Sequence, residues 1–203
     1  MFRLKKSWNL VSPEGVEVKN AQQLASYWRL FVERELWHKS WINLLKRRAN
    51  CVVLDVGYNY GQFSALCLHL NPNASVVGFD PLPEVVFSDK LKASFRAALG
   101  DTAGTATLNV SDEVGLTAST DPDIYSDATR KLEVPVVTLD SLREEIIATV
   151  GNTVRPGWNG YCYVLKLDVD GHEHLVLRGA RNILRKTAVV IAEDRKSTRL
   201  NSS

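Results

Sequence analysis

The chain has 203 residues, of which 45% are hydrophobic, 24% charged and 8% aromatic. This composition excludes disordered, collagen-like and disulfide-scaffold proteins, and the length allows one domain of ordinary size. The formal net charge of +2 comes from the last ten residues, where Arg195, Lys196 and Arg199 outnumber Asp194. Because no basic stripe remains in the rest of the chain, we expect no nucleic-acid partner.

Residues 1–49 are predicted to form an N-terminal helical extension or cap. Two sets of apolar residues keep helical spacing. They are Leu24, Trp28 and Phe31 in the first set and Trp37, Trp41 and Leu44 in the second. The two stripes are out of phase, which indicates two helices or a kink near residues 33–35. With Trp8 nearby, this segment holds four of the five tryptophans. We favour packing on the main sheet over a substrate wall or a dimer face.

Residues 50–193 are predicted to form an α/β domain. Short, nearly continuous apolar runs alternate with helical patterns. The runs are CVVLDVG, SVVGFDP, a weaker SFRAALG, YCYVLKLDV and AVVIAE. They are typical of buried parallel strands joined by crossover helices, and they predict a Rossmann-like sheet. Between residues 104 and 139, two alternating strands flank an irregular stretch at 111–127, which is typical of a lid or binding loop.

The cysteines and the N-terminus indicate the compartment. Each of the three cysteines, Cys51, Cys67 and Cys162, lies in an apolar run, where a thiol acts as a small hydrophobic side chain. Because the sequence has no CxxC motif, we expect no zinc site. The chain shows no signal peptide and no run near the ~20 apolar residues of a membrane span. We therefore expect a cytoplasmic protein without a membrane span.

The first chemical motif is LDVGYNYGQF, where a strand ends near Asp55 and a helix follows a loop with Gly57, Asn59 and Gly61. Such glycines let the backbone approach a ligand, and the helix N-terminus offers N–H groups to an anion. Asp80 ends the next strand, 23 residues after Gly57. An acid at ~20 residues binds ribose hydroxyls in nucleotide folds, so the spacing predicts a nucleoside ligand. The GxNxG pattern departs from the GxGxxG of dinucleotide sites.

The second motif, VLKLDVDGHEHLVLRGA, ends another predicted strand. Asp168 interrupts an apolar strand, which is costly unless the carboxylate is paired or used, and Lys166 on the same face is its candidate partner. His172 is a candidate general base, and His174 is expected to face solvent.

Two carboxylates of the same motif have a structural explanation. Asp170 and Glu173 are predicted to form a capping box, with Gly171 in the tight turn. Only Asp168 and Asp170 lie close together, so we expect no metal site.

The ordered segments resemble the FkbM family of S-adenosylmethionine-dependent methyltransferases. The segments are VVLDVGYNYGQFSALC, VVGFDPLP, AALGDTAGTATL, VPVVTLDSL, LKLDVDGHEHLVLRGARNIL and VVIAED, over about residues 50–193. The resemblance implies a class I methyltransferase fold that binds S-adenosylmethionine. It also implies methylation of a hydroxyl on a sugar, polyketide or other small molecule.

The resemblance also assigns roles to residues. It places the loop at the methionine end of the cofactor, Asp80 at the ribose, and the end of the third strand near the adenine. Lys166 and Asp168 would face the transferred methyl and the acceptor, with Asp168 or His172 as the base. The expected cofactor-binding residues are Asp55, Gly57, Tyr58, Asn59, Gly61, Gln62, Asp80, Pro81, Ala98 and Leu99.

The chain departs from the family pattern at several positions. Asp80 and Asp170 stand where the family usually has Glu, and His172 replaces a small residue. Tyr58 and Tyr60 enlarge the glycine loop and are expected to narrow the cofactor entrance.

The end of the chain departs as well. Residues 194–203 read DRKSTRLNSS and resemble the in-frame translation of a sequencing-library adapter. We expect them to be a non-native tail, and we expect the last strands of the family domain to be missing.

Two other functions stay open on the sequence. One is a nicotinamide-dependent oxidoreductase, which the GxNxG loop disfavours. The other is a non-catalytic nucleoside-binding or interaction module. The sequence names neither the acceptor nor the oligomeric state, and specificity is expected in residues 111–127 and in the N-terminal helices.

Overall fold

The computed structural model describes residues 3–4, 10–11, 17–18, 43–45, 51–111, 117–120, 130–150 and 162–192. Three short N-terminal strands form an antiparallel sheet in the order β1-β2-β3. They are β1 (Arg3–Leu4), β2 (Leu10–Val11) and β3 (Glu17–Val18). These strands lie in the part of the extension that precedes the helical pattern of residues 20–48. Strands of two residues are too short to produce an alternating apolar pattern.

The predicted helices over residues 20–48 fall mostly outside the described residues. Residues 43–45 are helical, and the backbone carbonyl of Leu45 accepts a hydrogen bond from the side-chain amide of Asn71 at 2.9 Å. Leu45 is fully buried against the main sheet and the helix that follows its first strand. Trp8, Trp28, Trp37 and Trp41 lie outside the described residues.

The main sheet has five parallel strands in the order β12-β11-β4-β5-β6. They are β4 (Cys51–Val56), β5 (Ser75–Phe79), β6 (Ala93–Phe95), β11 (Cys162–Leu167) and β12 (Thr187–Ala192). All of β4 and β5 is buried, as expected for strands covered on both faces. The prediction of a Rossmann-like, mostly parallel sheet with flanking helices is confirmed.

Helices cover both faces of this sheet. On one face lies α1 (Gln62–Leu70), with Phe63 and Cys67 packed on Val53, Val76 and Val164. The other face carries three helices, whose buried residues pack on the alternate side chains of the same strands. They are α2 (Arg143–Val150), α3 (Glu173–Arg178) and α4 (Arg181–Leu184).

A second sheet has the order β7-β10-β8-β9. It contains β7 (Ala98–Leu99), β8 (Gly104–Ser111), β9 (Thr117–Ser119) and β10 (Arg130–Val137). The two strands predicted between residues 104 and 139 are confirmed as β8 and β10, which pair antiparallel. Residues 112–116 and 121–129 of the irregular stretch lie outside the described residues.

The predicted single strand SFRAALG is divided between the two sheets. Its first part, β6, pairs with β5, and its second part, β7, pairs with β10. Arg96 lies at the break, where its guanidinium donates to the carbonyls of Leu82 and Val85 and stacks 5.0 Å above the ring of Phe87. The chain therefore crosses from one sheet to the other at Arg96.

The side chain of Asp140 also holds the start of α4. The carboxylate of Asp140 accepts hydrogen bonds from the amides of Asn182 at 2.9 Å and Ile183 at 3.0 Å. Two of the unpaired N–H groups at the start of α4 are thereby satisfied by a residue 42 or more positions away.

Candidate functional site

A cleft of about 200 Å³ opens at the carboxyl ends of the parallel strands. The strands β4 and β11 are neighbours in the centre of the sheet. From β4 the chain proceeds to β5 on one side, and from β11 it proceeds to β12 on the other side. Open α/β sheets bind ligands at such a topological switch point. The second sheet closes one wall. The lining residues are Val56, Gly57, Asn59, Phe79, Asp80, Pro81, Leu82, Ala97, Ala98, Leu99, Leu108, Ala118, Ser119, Thr120, Asp168, Val169, Asp170 and His172.

The glycine loop is shaped by steric demand. Gly57 has φ of 74°, and a Cβ built on it would lie 1.9 Å from the backbone oxygen of Asp168. Gly61 has φ of 75°, and its Cβ would lie 2.3 Å from the hydroxyl of Tyr58. Both positions therefore require glycine, for backbone conformation and for space.

The amides of this loop are already used within the protein. Those of Gly57 and Tyr58 both donate to the carbonyl of Phe79 at 3.0 Å, and that of Gly61 donates to the carbonyl of Tyr58 at 2.8 Å. The amide of Asn59 donates to the carboxylate of Asp80 at 2.8 Å. The loop thus approaches the cleft closely without turning these amides toward a ligand.

The N-terminus of α1 is also occupied from within. One carboxylate oxygen of Asp55 accepts from the amide of Ser64 at 3.1 Å and from its hydroxyl at 2.6 Å. We expected this helix end to meet an anionic group of a ligand. The structure instead places a buried side-chain carboxylate there, where it complements the helix dipole.

A charge cluster links this carboxylate to the cleft. The ammonium of Lys166 lies 3.2 Å from Asp55 and 3.4 Å from Asp168, and it donates to the carbonyl of Gly57 at 2.6 Å. Burial alone would lower the pKa of Lys166, but the two carboxylates outweigh it and raise the pKa. The predicted pairing of Lys166 with Asp168 is confirmed, and the ammonium is charged.

Asp80 connects two loops at the cleft. Its carboxylate accepts from the amide of Asn59 and, at 3.0 Å, from the amide of Leu82. Burial raises the pKa of Asp80, and the hydrogen bonds from these two amides oppose that shift only in part. Asp80 follows β5 and lines the cleft, and its role as an acceptor for ribose hydroxyls stays a prediction.

Tyr58 does not narrow the entrance, contrary to our expectation. Its side chain is buried, contacts the tilted ring of Phe87 with ring centroids 5.0 Å apart, and packs with Leu82 and Val85. Its hydroxyl accepts from the amide of Ser88 at 3.2 Å. The side chain points into the core because the second sheet provides an apolar surface that the sequence did not reveal.

The segment after β11 is tied to the second sheet. The hydroxyl of Ser119 donates to the backbone carbonyl of Asp170 at 2.8 Å, and the hydroxyl of Thr120 contacts Nδ1 of His172. His172 lines the cleft, and His174 is exposed as predicted. Sequence reasoning missed Ser119 and Thr120, and its only signal was the expectation that specificity lies in residues 111–127.

The predicted capping box is wrong. The helix α3 begins at Glu173 with His172 as its N-cap, and Asp170 lies in the preceding turn with φ of 50°. The carboxylate of Glu173 instead accepts from the amides of Val169 at 3.3 Å and Gly171 at 3.4 Å. Gly171 takes a positive φ of 103°, so the prediction of a tight turn there is confirmed.

Eight of the predicted site residues line one cleft, and five do not. Those at the cleft are Gly57, Asn59, Asp80, Pro81, Ala98, Leu99, Asp168 and His172. Asp55, Tyr58, Gly61, Gln62 and Lys166 lie behind it. Within the ranges described, no group of three acidic, histidine or cysteine side chains could hold a metal ion.

The family model described as "Methyltransferase FkbM domain" matches residues 55–199, which include all the residues that line the cleft. The chain belongs to the FkbM methyltransferase family. The FkbM chain is also 28% identical, over 143 residues, to the hexuronic acid methyltransferase AglP of Haloferax volcanii.

This match covers 70% of the FkbM chain and 55% of AglP, so the chain spans about half the length of that relative. No solved structure matches the chain. In the part of the chain that the structure describes, no helix is long and apolar enough to cross a membrane.

Proposed function

We propose that this FkbM methyltransferase uses S-adenosylmethionine to methylate a hydroxyl group on a sugar or related small molecule. One observation carries the choice of cofactor. The amides of Gly57, Tyr58, Asn59 and Gly61, and that of Ser64 in the first turn of α1, are bonded within the protein, while three carboxylates line the cleft, those of Asp80, Asp168 and Asp170. Such a site offers poor support for a pyrophosphate and suits a nucleoside that carries positive charge.

The lining residues fit the parts of that cofactor. Asp80 lines the cleft and would accept hydrogen bonds from ribose hydroxyls, and Ala98, Leu99 and Leu108 form an apolar wall suited to a purine ring. Gly57 and Asp168 both line the cleft, and the methionine end would lie against these two residues. The same features argue against a nicotinamide dinucleotide, whose pyrophosphate would meet carboxylates.

The chemistry of transfer depends on alignment. The cofactor, when bound, supplies an electrophilic methyl group on a sulfonium. The chain has to hold an acceptor oxygen in line with that methyl group, an effect worth effective molarities of about 10⁵–10⁸ M. Asp168, with 43% of its side chain exposed, and His172 are the candidate bases for the hydroxyl proton.

The acceptor class rests on similarity and on the cleft. The name of AglP states that it methylates a hexuronic acid, which is a sugar derivative. Ser119, Thr120 and His172 offer hydroxyl and imidazole groups at the wall opposite the glycine loop, and such groups suit a polyhydroxylated acceptor.

Titration calorimetry of the full chain with S-adenosylmethionine and, separately, NAD tests the cofactor. We expect binding of S-adenosylmethionine alone, weakened roughly 10- to 100-fold by Asp80→Asn, since a hydrogen bond to a charged group contributes about 1.5–3 kcal/mol. Asp89→Asn, an exposed aspartate in the loop that follows, serves as the matched control.

Binding of NAD instead would support the oxidoreductase alternative. If the folded chain binds neither ligand, a non-catalytic module becomes the better reading. Where S-adenosylmethionine binds, transfer of a labelled methyl group to a panel of sugars, with and without a carboxylate, identifies the acceptor class. If none of the sugars in the panel becomes labelled, the proposed acceptor class is contradicted.

A further inference from the structure

Lys166 is a largely buried cation next to the cleft, and it is not among the residues that line the cleft wall. Only 13% of its side chain is exposed, and its register partner on the neighbouring strand is Asp55. Its ammonium donates a hydrogen bond to the carbonyl of Gly57 and forms ion pairs with the carboxylates of Asp55 and Asp168. The ammonium is therefore held by three groups at once.

The three partners belong to three different parts of the site. Asp55 is fully buried and anchored to the start of α1 through Ser64. Gly57 belongs to the glycine loop, and Asp168 is the partly exposed carboxylate that reaches the cleft. The cluster has two carboxylates for one ammonium, and Asp168 is the more exposed of the two carboxylates.

We infer that Lys166 is a positioning residue of the methyl-transfer site, which holds the Gly57 carbonyl and the Asp168 carboxylate in place from behind the cleft. The inference rests on the proposed function for its ligand, and it replaces direct contact of Lys166 with the transferred methyl. If Lys166 served only to neutralise the buried carboxylate of Asp55, its ion pair with Asp55 would be sufficient. The bond to Gly57 fixes the loop at the point where it passes Asp168 with no room for a Cβ.

Three variants separate this role from general stability. Lys166→Met removes the ammonium and leaves Asp55 buried without its cation, which destabilises the fold. The double variant Asp55→Asn with Lys166→Met removes both charges of the buried ion pair. The side-chain amide oxygen introduced at position 55 can still accept hydrogen bonds from Ser64. Replacing such a pair as a unit is often neutral for stability, so the double variant is the decisive one. Lys92→Met, at an exposed lysine, is the control.

Hydrogen exchange without ligand gives the first readout. In the double variant, we expect the amides of residues 57–61 to exchange about tenfold faster or more, while those of α2 and β10 keep their wild-type rates. Wild-type exchange at residues 57–61 in the folded double variant would overturn the inference. In the wild type, the ammonium protons of Lys166 should exchange slowly in ¹⁵N-lysine spectra, and exchange as fast as that of Lys92 would also overturn it.

Two ligands give the second readout. Adenosine would contact the Asp80 end alone, whereas S-adenosylmethionine would also reach Gly57 and Asp168. We expect the double variant to lose about tenfold in affinity for S-adenosylmethionine relative to adenosine, a difference of about 1.4 kcal/mol. An unchanged ratio contradicts the inference. If the wild type binds neither ligand, the proposed function fails, and the exchange measurements still decide the role of Lys166.

Discussion

Substituting Gly57 by alanine tests the steric argument for the glycine loop. A Cβ at this position would lie 1.9 Å from the backbone oxygen of Asp168, whereas real contacts stay above 3.0 Å. The backbone must therefore move by about 1 Å, and overpacking of this kind costs about 1–3 kcal/mol. The left-handed conformation, φ of 74°, adds about 1–2 kcal/mol for a residue with a Cβ.

The expected loss for Gly57→Ala is therefore about 2–5 kcal/mol of unfolding free energy. For a chain of this size, about 2–4 °C in Tm corresponds to each kcal/mol, so Tm should fall by roughly 4–20 °C. Urea and thermal unfolding measure both quantities. Gly104→Ala is the matched control, because a Cβ there meets nothing within 4 Å. Equal stability of the two variants would refute the reasoning.

Three further predictions concern single side chains. Because burial raises the pKa of Asp80, its carboxylate should become protonated, and affinity for S-adenosylmethionine should fall, at a higher pH than for an ordinary aspartate. Calorimetry at several pH values checks this. The same pH dependence of affinity in Asp80→Asn would contradict it. Asp140→Ala removes the acceptor at the start of α4 and should cost about 1 kcal/mol in urea unfolding, with an unchanged midpoint as the opposing result. Ser64→Ala removes the hydroxyl that donates to the buried carboxylate of Asp55 and should cost about 1.5–3 kcal/mol of thermal stability, which a wild-type melting curve would disprove.

The parallel sheet could be predicted because its central strands are buried on both faces. Runs such as CVVLDV in β4 and CYVLKL in β11 are almost wholly apolar, and their length separates them from helices. The strand SFRAALG could not be resolved into two. Its division depends on Arg96, whose partners are carbonyls 11 and 14 residues away, and spacing in the sequence carries no information on such contacts.

The cleft could be predicted where local spacing controls it. Gly57 and Asp80 follow adjacent parallel strands, so their strand ends meet at one edge of the sheet. The direction of Tyr58 and the role of Asp55 depend instead on the second sheet and on Ser64. The sequence alone shows that a carboxylate is present in a buried strand, but it does not show which neighbouring groups donate hydrogen bonds to that carboxylate.

The carboxylate of Asp55 at the start of α1 limits how this fold can be redesigned. Adding a third glycine to convert GxNxG into a dinucleotide loop would leave that carboxylate at the helix end, where it repels a phosphate. Removing it alone would strand the cation of Lys166 in the interior. A change of cofactor class therefore has to begin in the core of the sheet, with both residues replaced together, before any residue that touches the new ligand is altered.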